Sequence, residues 1–340
     1  MKNIGILSNS VDTHVDEVEI FLKKKKINYF RFNSDSVNDK QYIQYTPQLT
    51  PSIVLNINNK IISPQDISAI WYRKPDQWWK WDLNDLSEGN RDILNFKVRE
   101  TNTLIRQFIN ECNKLRIPII CNPLQSRELE NKMEQLLLAK RIGLRIPETL
   151  ITSNKKVIET FLNKYKYQAI VKSLLTHDFN SLKIDAFTYK IEPQIFKKQL
   201  KKDLDFDYPL FLQEMIKKKL ELRITIFGEK IFPVAIDSQS NKICETDWRT
   251  INPYYIRHAE YKLPKDIEKK CRLLMKKMNL YYGAIDMAIT PDDKYVFFEI
   301  NPYGQYLWIE EITKLPLSKA MADLLIKLAT EMSHRQFLKV

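Results

Sequence analysis

Short apolar runs and helix-period stretches take turns along the first part of the chain. Residues 4–7 form an apolar run fit for a buried strand, 15–25 carry apolar residues at helical spacing, and 28–32 return to a strand rhythm. Asn58-Asn59, between the runs 52–57 and 60–62, signals a hairpin, because asparagine tolerates the left-handed backbone of a two-residue turn. A strand over 68–72 follows. A long helix over 88–112 then sets Ile93, Leu94, Leu104, Ile105, Phe108 and Cys112 on its apolar side, and a strand over 117–121 ends the segment. The pattern is that of a three-layer α/β unit.

Beyond Asn122-Pro123 the pattern predicts a helix over 127–141, stopped by Gly143 and Pro147. A strand over 149–152, a helix over 154–164 capped by Asn154, strands over 168–173 and 185–190, and a helix over 192–202 come next. Strands over 210–216, 220–227 and 230–237 open the last part. A helix over 265–278, a hairpin of 281–290 with 295–301, and a closing helix over 316–331 complete it.

The 340 residues allow two or three domains, and 44% hydrophobic with 28% charged residues is a globular composition. No apolar run approaches the roughly 18 residues of a membrane span. Residues 1–10 lack the apolar core and cleavage site of a secretory signal, so neither feature is expected. Gly5, Gly89, Gly143, Gly228, Gly283 and Gly304 lie far apart, which excludes a G-x-G-x-x-G fingerprint and a Walker A loop. Cys112, Cys121, Cys244 and Cys271 have no C-x-x-C spacing and read as reduced core residues of a cytosolic protein. With the four histidines scattered, any metal should be hard and bound by oxygen. The net charge of +12 suits nucleic acid, an anionic substrate or cofactor, or a lysine-rich surface. Only 14 of the 54 basic residues are arginine. The lysine runs at 23–26, 197–198 and 201–202 fall on predicted helices, which favours solvated faces over a nucleic-acid surface.

The last hairpin carries the first chemistry. Pro291-Asp292-Asp293-Lys294 is a turn sequence, and with Asp292 and Asp293 as its central pair Asp286 faces Glu299. Strand alternation then projects Asn301 from the same face as Glu299. These oxygens suit Mg²⁺ bound to nucleotide phosphates. Opposed carboxylates repel each other, so changing either to its amide is expected to leave the hairpin standing. Elsewhere, Lys132 opens the stretch 132–141 and Lys172 ends an apolar strand, where each can reach a phosphate. Gln213-Glu214-Met215-Ile216 ends another apolar strand, Glu221 follows, and Arg223 shares its strand face.

In this order of parts the chain resembles the ATP-grasp ligases, whose pattern is a lysine on the central domain, a strand-end lysine, a Q-E-hydrophobic hinge with a later Glu, and a D…E-x-N metal set. Further motifs are Ile70-Trp71-Tyr72-Arg73, Asn131-Lys132, Ile146-Pro147-Glu148-Thr149-Leu150, Glu221-Leu222-Arg223, Asp247-Trp248-Arg249 and Glu299-Ile300-Asn301-Pro302. Gly304-Gln305 and Trp308-Ile309-Glu310 add to them. Within the superfamily these motifs resemble the graspetide synthetases, peptide macrocyclases typified by microviridin ligases, across essentially the whole chain.

The resemblance implies an α/β ATP-grasp fold. An N-terminal α/β pre-grasp domain (1–124) would precede two α+β subdomains, central (125–208) and C-terminal (209–340), that clamp ATP. Lys132 and Lys172 would hold phosphates, the hinge Gln213, Glu214, Met215 and Ile216 would meet adenine, and Glu221 the ribose. Asp286, Glu299 and Asn301 would hold Mg²⁺. Arg223 would stand over the γ-phosphate and Arg249 where the substrate carboxylate docks. The glycine-free loop 173–182 receives no assigned contact. The implied reaction converts a Glu or Asp side chain of a ribosomal precursor peptide, leader plus acidic core, into an acyl phosphate. A Ser or Thr hydroxyl then closes an ester, or a Lys amine an amide. Trp71, Trp78, Trp79 and Trp81 are candidates for an apolar leader or for a loop-stabilising patch. The expected setting is a cytoplasmic homodimer without nucleic-acid or membrane partners. A RimK-like or glutathione-synthetase-like carboxylate–amine ligase is the enzyme alternative. A non-catalytic nucleic-acid or scaffold protein is the other, and the intact lysine and metal sets argue against it.

Overall fold

Strand β1 (Asn3–Ser8), helix α1 (Thr13–Lys24) and strand β2 (Tyr29–Asn33) begin the chain. Then come β3 (Gln41–Tyr45), β4 (Ile53–Ile57), β5 (Lys60–Ile62), β6 (Ile67–Tyr72), α2 (Glu88–Lys114) and β7 (Ile119–Ile120). The computed structural model describes residues 2–75, 87–172, 188–190 and 208–337. Trp78, Trp79, Trp81, the loop 173–182 and the expected helix over 192–202 lie outside these residues, as does the first half of the strand expected over 185–190.

The parallel strands order as β2-β1-β6-β7, and β3-β4-β5 form a small antiparallel sheet beside them. Asn58 and Asn59 take φ of 50° and 64°, the mirror-image turn that their identity predicts. Ile105, Phe108 and Cys112 of α2 are buried, as their spacing requires. Ile93 is exposed, because the core contacts of this long helix come from its C-terminal half.

The middle of the chain holds α3 (Ser126–Leu129), α4 (Lys132–Arg141), β8 (Thr149–Thr152), α5 (Lys155–Lys164), β9 (Ala169–Lys172), β10 (Thr188–Lys190) and β11 (Leu210–Glu214). The expected helix over 127–141 is two helices. The Asn131 side chain accepts from the Met133 and Glu134 amides and caps α4, so Lys132 occupies its first turn. The strands form a sheet ordered β10-β9-β11-β8, and α5 buries Ile158, Phe161 and Leu162 against it.

The last part comprises β12 (Leu220–Phe227), β13 (Lys230–Ile236), β14 (His258–Glu260), α6 (Lys265–Lys277), β15 (Tyr282–Ile289), β16 (Tyr295–Asn301), α7 (Leu307–Thr313) and α8 (Leu317–Phe337). Its sheet runs β14-β13-β12-β15-β16. Period-2 alternation divides the two faces. Leu222, Ile224, Ile285 and Met287 join Ile267, Cys271 and Leu274 of α6 in one core. Glu221, Arg223, Asp286 and Glu299 project from the opposite face. Helix α8 returns to the first sheet, where Met321, Leu325 and Leu328 pack with Ile4, Ile6, Val18 and Leu22. Among the described residues, no helix is long and apolar enough to cross a membrane.

Candidate active site

The hairpin of β15 and β16 sets Asp286 directly opposite Glu299, as expected, but by a different route. Next to the turn, Ile289 faces Tyr295 and Met287 faces Phe297. That register corresponds to a three-residue turn, with Asp293 at φ 57° and the Lys294 amide bonded to Thr290 Oγ1 at 3.0 Å. A β-bulge then inserts Phe298 and moves the register by one residue, which restores the Asp286–Glu299 pair. The bulge has a chemical consequence: Phe298 and Glu299 both face the cleft between the two antiparallel sheets.

This cleft is open to solvent. Lys172, Glu214, Met215, Ile216, Glu221, Arg249, Asp286 and Glu299 line it, so eight of the residues singled out in the sequence converge there. Lys132, Gln213, Arg223 and Asn301 stand outside the lining. Gln213 is buried and donates to Thr149 Oγ1 at 3.0 Å, which makes it a strand-to-strand tie. The Asn301 side-chain oxygen accepts the Tyr303 amide at 3.0 Å. Lys132 lies behind Glu299, with Nζ 3.9 Å from Oε2. Its helix is held by Gln135, which bonds both the Ile300 carbonyl (2.9 Å) and the Ile300 amide (3.0 Å).

Arg223 amends the expectation most. Its Nη1 donates to both oxygens of Asp286 at 3.0 Å and its Nη2 to the Gln305 carbonyl at 3.2 Å. The side chain backs Asp286 rather than facing open space. It follows that Asp286 cannot be neutralised without orphaning a buried guanidinium, contrary to the expectation for the hairpin. Arg249 does face the cleft. One nitrogen, Nη2, donates to Asp286 Oδ2 at 2.7 Å and to Glu299 Oε1 at 3.0 Å, while Nη1 lies 3.4 Å from Asp247 Oδ2. Asp247 also accepts the Arg249 amide and so fixes the short turn that carries it.

Burial pushes the Glu299 carboxyl up, but Arg249, Lys172, Lys132 and Arg223 outweigh it and hold it at about 2. Burial lowers the Lys172 ammonium, and Lys132 and Arg249 lower it further against the pull of Glu299. Lys172 also stands 5.3 Å over the Phe298 ring. Burial raises the Glu221 carboxyl despite its partner Lys218, whose Nζ donates to Glu221 at 2.7 Å and to the Thr246 carbonyl at 3.0 Å. Sequence reasoning missed Lys218 and Gln135; the K-x-x-E spacing before Glu221 is the one local signal for the former.

The donor set bears on a divalent cation through its two carboxylates. Asp286 and Glu299 are facing carboxylates with hard oxygens, and the position between them already holds a cationic nitrogen, Nη2 of Arg249. The pair therefore fits a hard cation. Among the described residues, no three His, Cys, Asp or Glu side chains cluster as a metal site, so completion needs the Asn301 oxygen or ligand oxygens.

Comparison with known proteins agrees with this geometry. Residues 3–122 match the family described as the MvdD pre-ATP grasp domain. The structure is similar to a RiPP-associated ATP-grasp ligase of Chryseobacterium gregarium, solved in complex with ADP and a leader and core peptide. The TM-score is 0.80 at 28% identity, covering 96% of this chain and 97% of that one. It is also similar to the macrocyclase MdnC of Microcystis aeruginosa, bound with precursor peptide MdnA, with a TM-score of 0.76 at 28% identity over 95% and 99% of the two chains. Alpha-aminoadipate–LysW ligase LysX of Sulfurisphaera tokodaii is 22% identical over 178 residues. The match covers 52% of this chain and 60% of that relative, less than two thirds of its length. The fold, the order of the cleft residues and these likenesses together support a graspetide-type ATP-grasp ligase.

Proposed function

We propose that the protein uses ATP and Mg²⁺ to activate Glu or Asp side chains of a ribosomal precursor peptide, and then closes side-chain ester or amide macrocycles. The observation that carries this reading is the convergence of Lys172, the hinge 214–216, Glu221, Arg249, Asp286 and Glu299 on one cleft. The relatives solved with leader and core or precursor peptides support the substrate class.

In this reading Glu221 meets the ribose. The Met215 amide is already given to the Gln168 carbonyl at 2.9 Å, so the adenine edge falls to Ile216. Lys172 and Lys132 attract the phosphates. Mg²⁺, when bound, would be held by Asp286, Glu299 and Asn301 and would neutralise phosphate charge there. Arg223 holds Asp286 in place through both of its oxygens. Arg249 turns its planar fork to the substrate carboxylate and aligns it for attack. The carboxylate takes the γ-phosphoryl group and ADP leaves. The hydroxyl or amine then bonds to the acyl carbon, releasing phosphate and a proton.

The proposed divisions are 1–124, 125–208 and 209–340, with α8 lying across the first. Four buried free cysteines support a cytoplasmic setting, and a homodimer is the proposed assembly, readable by light scattering. The LysX likeness favours a second reading, ligation of a free amine to a small acid. Mass spectrometry of the co-expressed cognate peptide separates the two. Loss of one water per ring, with ADP release that needs both Mg²⁺ and peptide, is expected. An unmodified cognate peptide together with turnover on free amines would establish the second reading.

A further inference from the structure

The segment 302–307 leaves β16 just after Asn301 and leads into α7. Its backbone is gripped from two sides. From the N-terminal unit, Cys121 Sγ donates to the Pro302 carbonyl at 3.1 Å and Arg73 Nη1 to the Tyr303 carbonyl at 3.4 Å. His14 Nε2 accepts the Tyr306 and Leu307 amides at 3.2 and 3.3 Å. From the C-terminal sheet, Tyr282 donates to the Gly304 carbonyl at 2.5 Å and Arg223 to the Gln305 carbonyl at 3.2 Å. The strap has no slack at its centre. A Cβ on Gly304 would come within 2.7 Å of Arg223 Nη2 and 2.8 Å of Ala284 Cβ.

His14 is buried and lies outside the cleft lining. In the neutral ring the two amides aimed at Nε2 outnumber the single donor at Nδ1, Arg73 Nη2, and so place the ring proton on Nδ1, 3.4 Å from Asp12 Oδ1. Asp12 in turn pairs with Arg73 Nε at 3.1 Å, and Arg73 Nη2 lies 3.1 Å from His14 Nδ1. The ring also meets Tyr306 edge-on at 4.8 Å. A proton on Nε2 would set a donor against two donors and release the strap. The charged groups facing the ring are Asp12 before α1 and Arg73 and Lys74 after β6, with Tyr306 opposite. Burial lowers the imidazole's proton affinity, with Arg73 and Lys74 acting in the same direction.

We propose that His14 is a positioning residue for phosphoryl transfer: as a neutral acceptor it clamps the strap 303–307 that seats Arg223 against Asp286. This rests on the ligase reading above. It gives the N-terminal unit a part in the chemistry. The test compares the full-length wild type with His14→Phe, which keeps a ring beside Tyr306 but no acceptor, and His14→Gln, whose oxygen can replace Nε2. The readouts are ADP release with cognate peptide and Mg²⁺ across pH, and nucleotide affinity by calorimetry. His14→Phe is expected to lower kcat by at least about tenfold with nucleotide affinity within about twofold. His14→Gln should recover most of kcat and lose the acid limb that the wild type shows as His14 protonates. Wild-type kcat in His14→Phe, or an unchanged acid limb in His14→Gln, overturns the proposal. If His14→Phe fails to fold, the acid limb of His14→Gln decides alone. A wild type that releases no ADP with its peptide defeats the ligase reading and this proposal with it; failure of the His14 role alone appears only against an active wild type.

Discussion

Two buried charge clusters face each other across the strap 303–307, and they are built on opposite plans. Around Arg73 the charge accounts close: Asp12 pairs with Nε at 3.1 Å and also caps α1, and the Tyr303 carbonyl accepts from Nη1. Around Glu299 they do not close. Arg249, Lys172, Lys132 and Arg223 all act on the single carboxylate of Glu299, and Lys172 is driven down by its cationic neighbours as well as by burial. A closed network rigidifies, whereas one in which several cations share a single carboxylate keeps donors for an anion. The contrast separates a clamp from a site by charge alone, although both are buried arginine–aspartate pairs.

The largest expected effect tests where closure ends inside the site. Asp286→Asn strips the buried Arg223 of its two-oxygen acceptor, so it should cost about 3–5 kcal/mol of stability as well as turnover. Glu299→Gln removes an equally essential charge from a more exposed position. It should lower ADP release by a factor on the order of 10²–10³ while the melting temperature hardly moves. Equal losses of stability in the two variants would erase the distinction between a fixed Asp286 and an adaptable Glu299.

Arg249 tests the open side directly. Arg249→Lys keeps the charge but loses the fork, so ring formation should fall by about 10²-fold with nucleotide affinity preserved. Arg249→Gln takes away the nitrogen that lies 2.7 and 3.0 Å from the two carboxylates. Mn²⁺ binding followed by electron paramagnetic resonance should tighten, and unchanged or weaker binding would mean that Arg249 does not compete for the cation position.

Lys218→Met should weaken nucleotide binding by about tenfold, equivalent to ~1.4 kcal/mol, because Glu221 loses the cation that pairs with it and opposes the effect of burial on its carboxyl. A Kd unchanged by calorimetry would detach Glu221 from the ribose. The smallest effect is on pH. Burial lowers Lys172, so it loses its proton before an ordinary lysine with a pKa near about 10.4, and phosphate affinity should decline as pH rises toward that value. Lys172→Arg should move the decline to higher pH. Glu299, held at about 2, stays ionised throughout and contributes no acid limb above about pH 4.

Much of this was legible in the chain because it is short-range. Apolar periodicity located β12 and β15 and the long helix α2, Asn154 marked the start of α5, and Asn58-Asn59 marked a turn. The Asp286–Glu299 pairing was also reached from the sequence. The premise was one residue out at the turn, however, and the bulge at Phe298 compensated for it. A bulge leaves no signature in alternation, so its exposure of Phe298 to Lys172 had to come from the structure.

The sequence by itself determined the order and type of most elements, the asparagine caps and turns, and which polar residues end which strands, since these depend on neighbours within a few positions. Tertiary structure decided which of those residues meet. Arg223 backs Asp286 across 63 positions of sequence, Gln135 reads Ile300 across 165, and His14 accepts from Tyr306 across 292. Local propensity carries no record of a partner so distant; only the closing of α8 on the first sheet and the pairing of β12 with β15 bring these groups within hydrogen-bond reach. There burial leaves each polar group no solvent alternative, and the partner becomes a structural necessity.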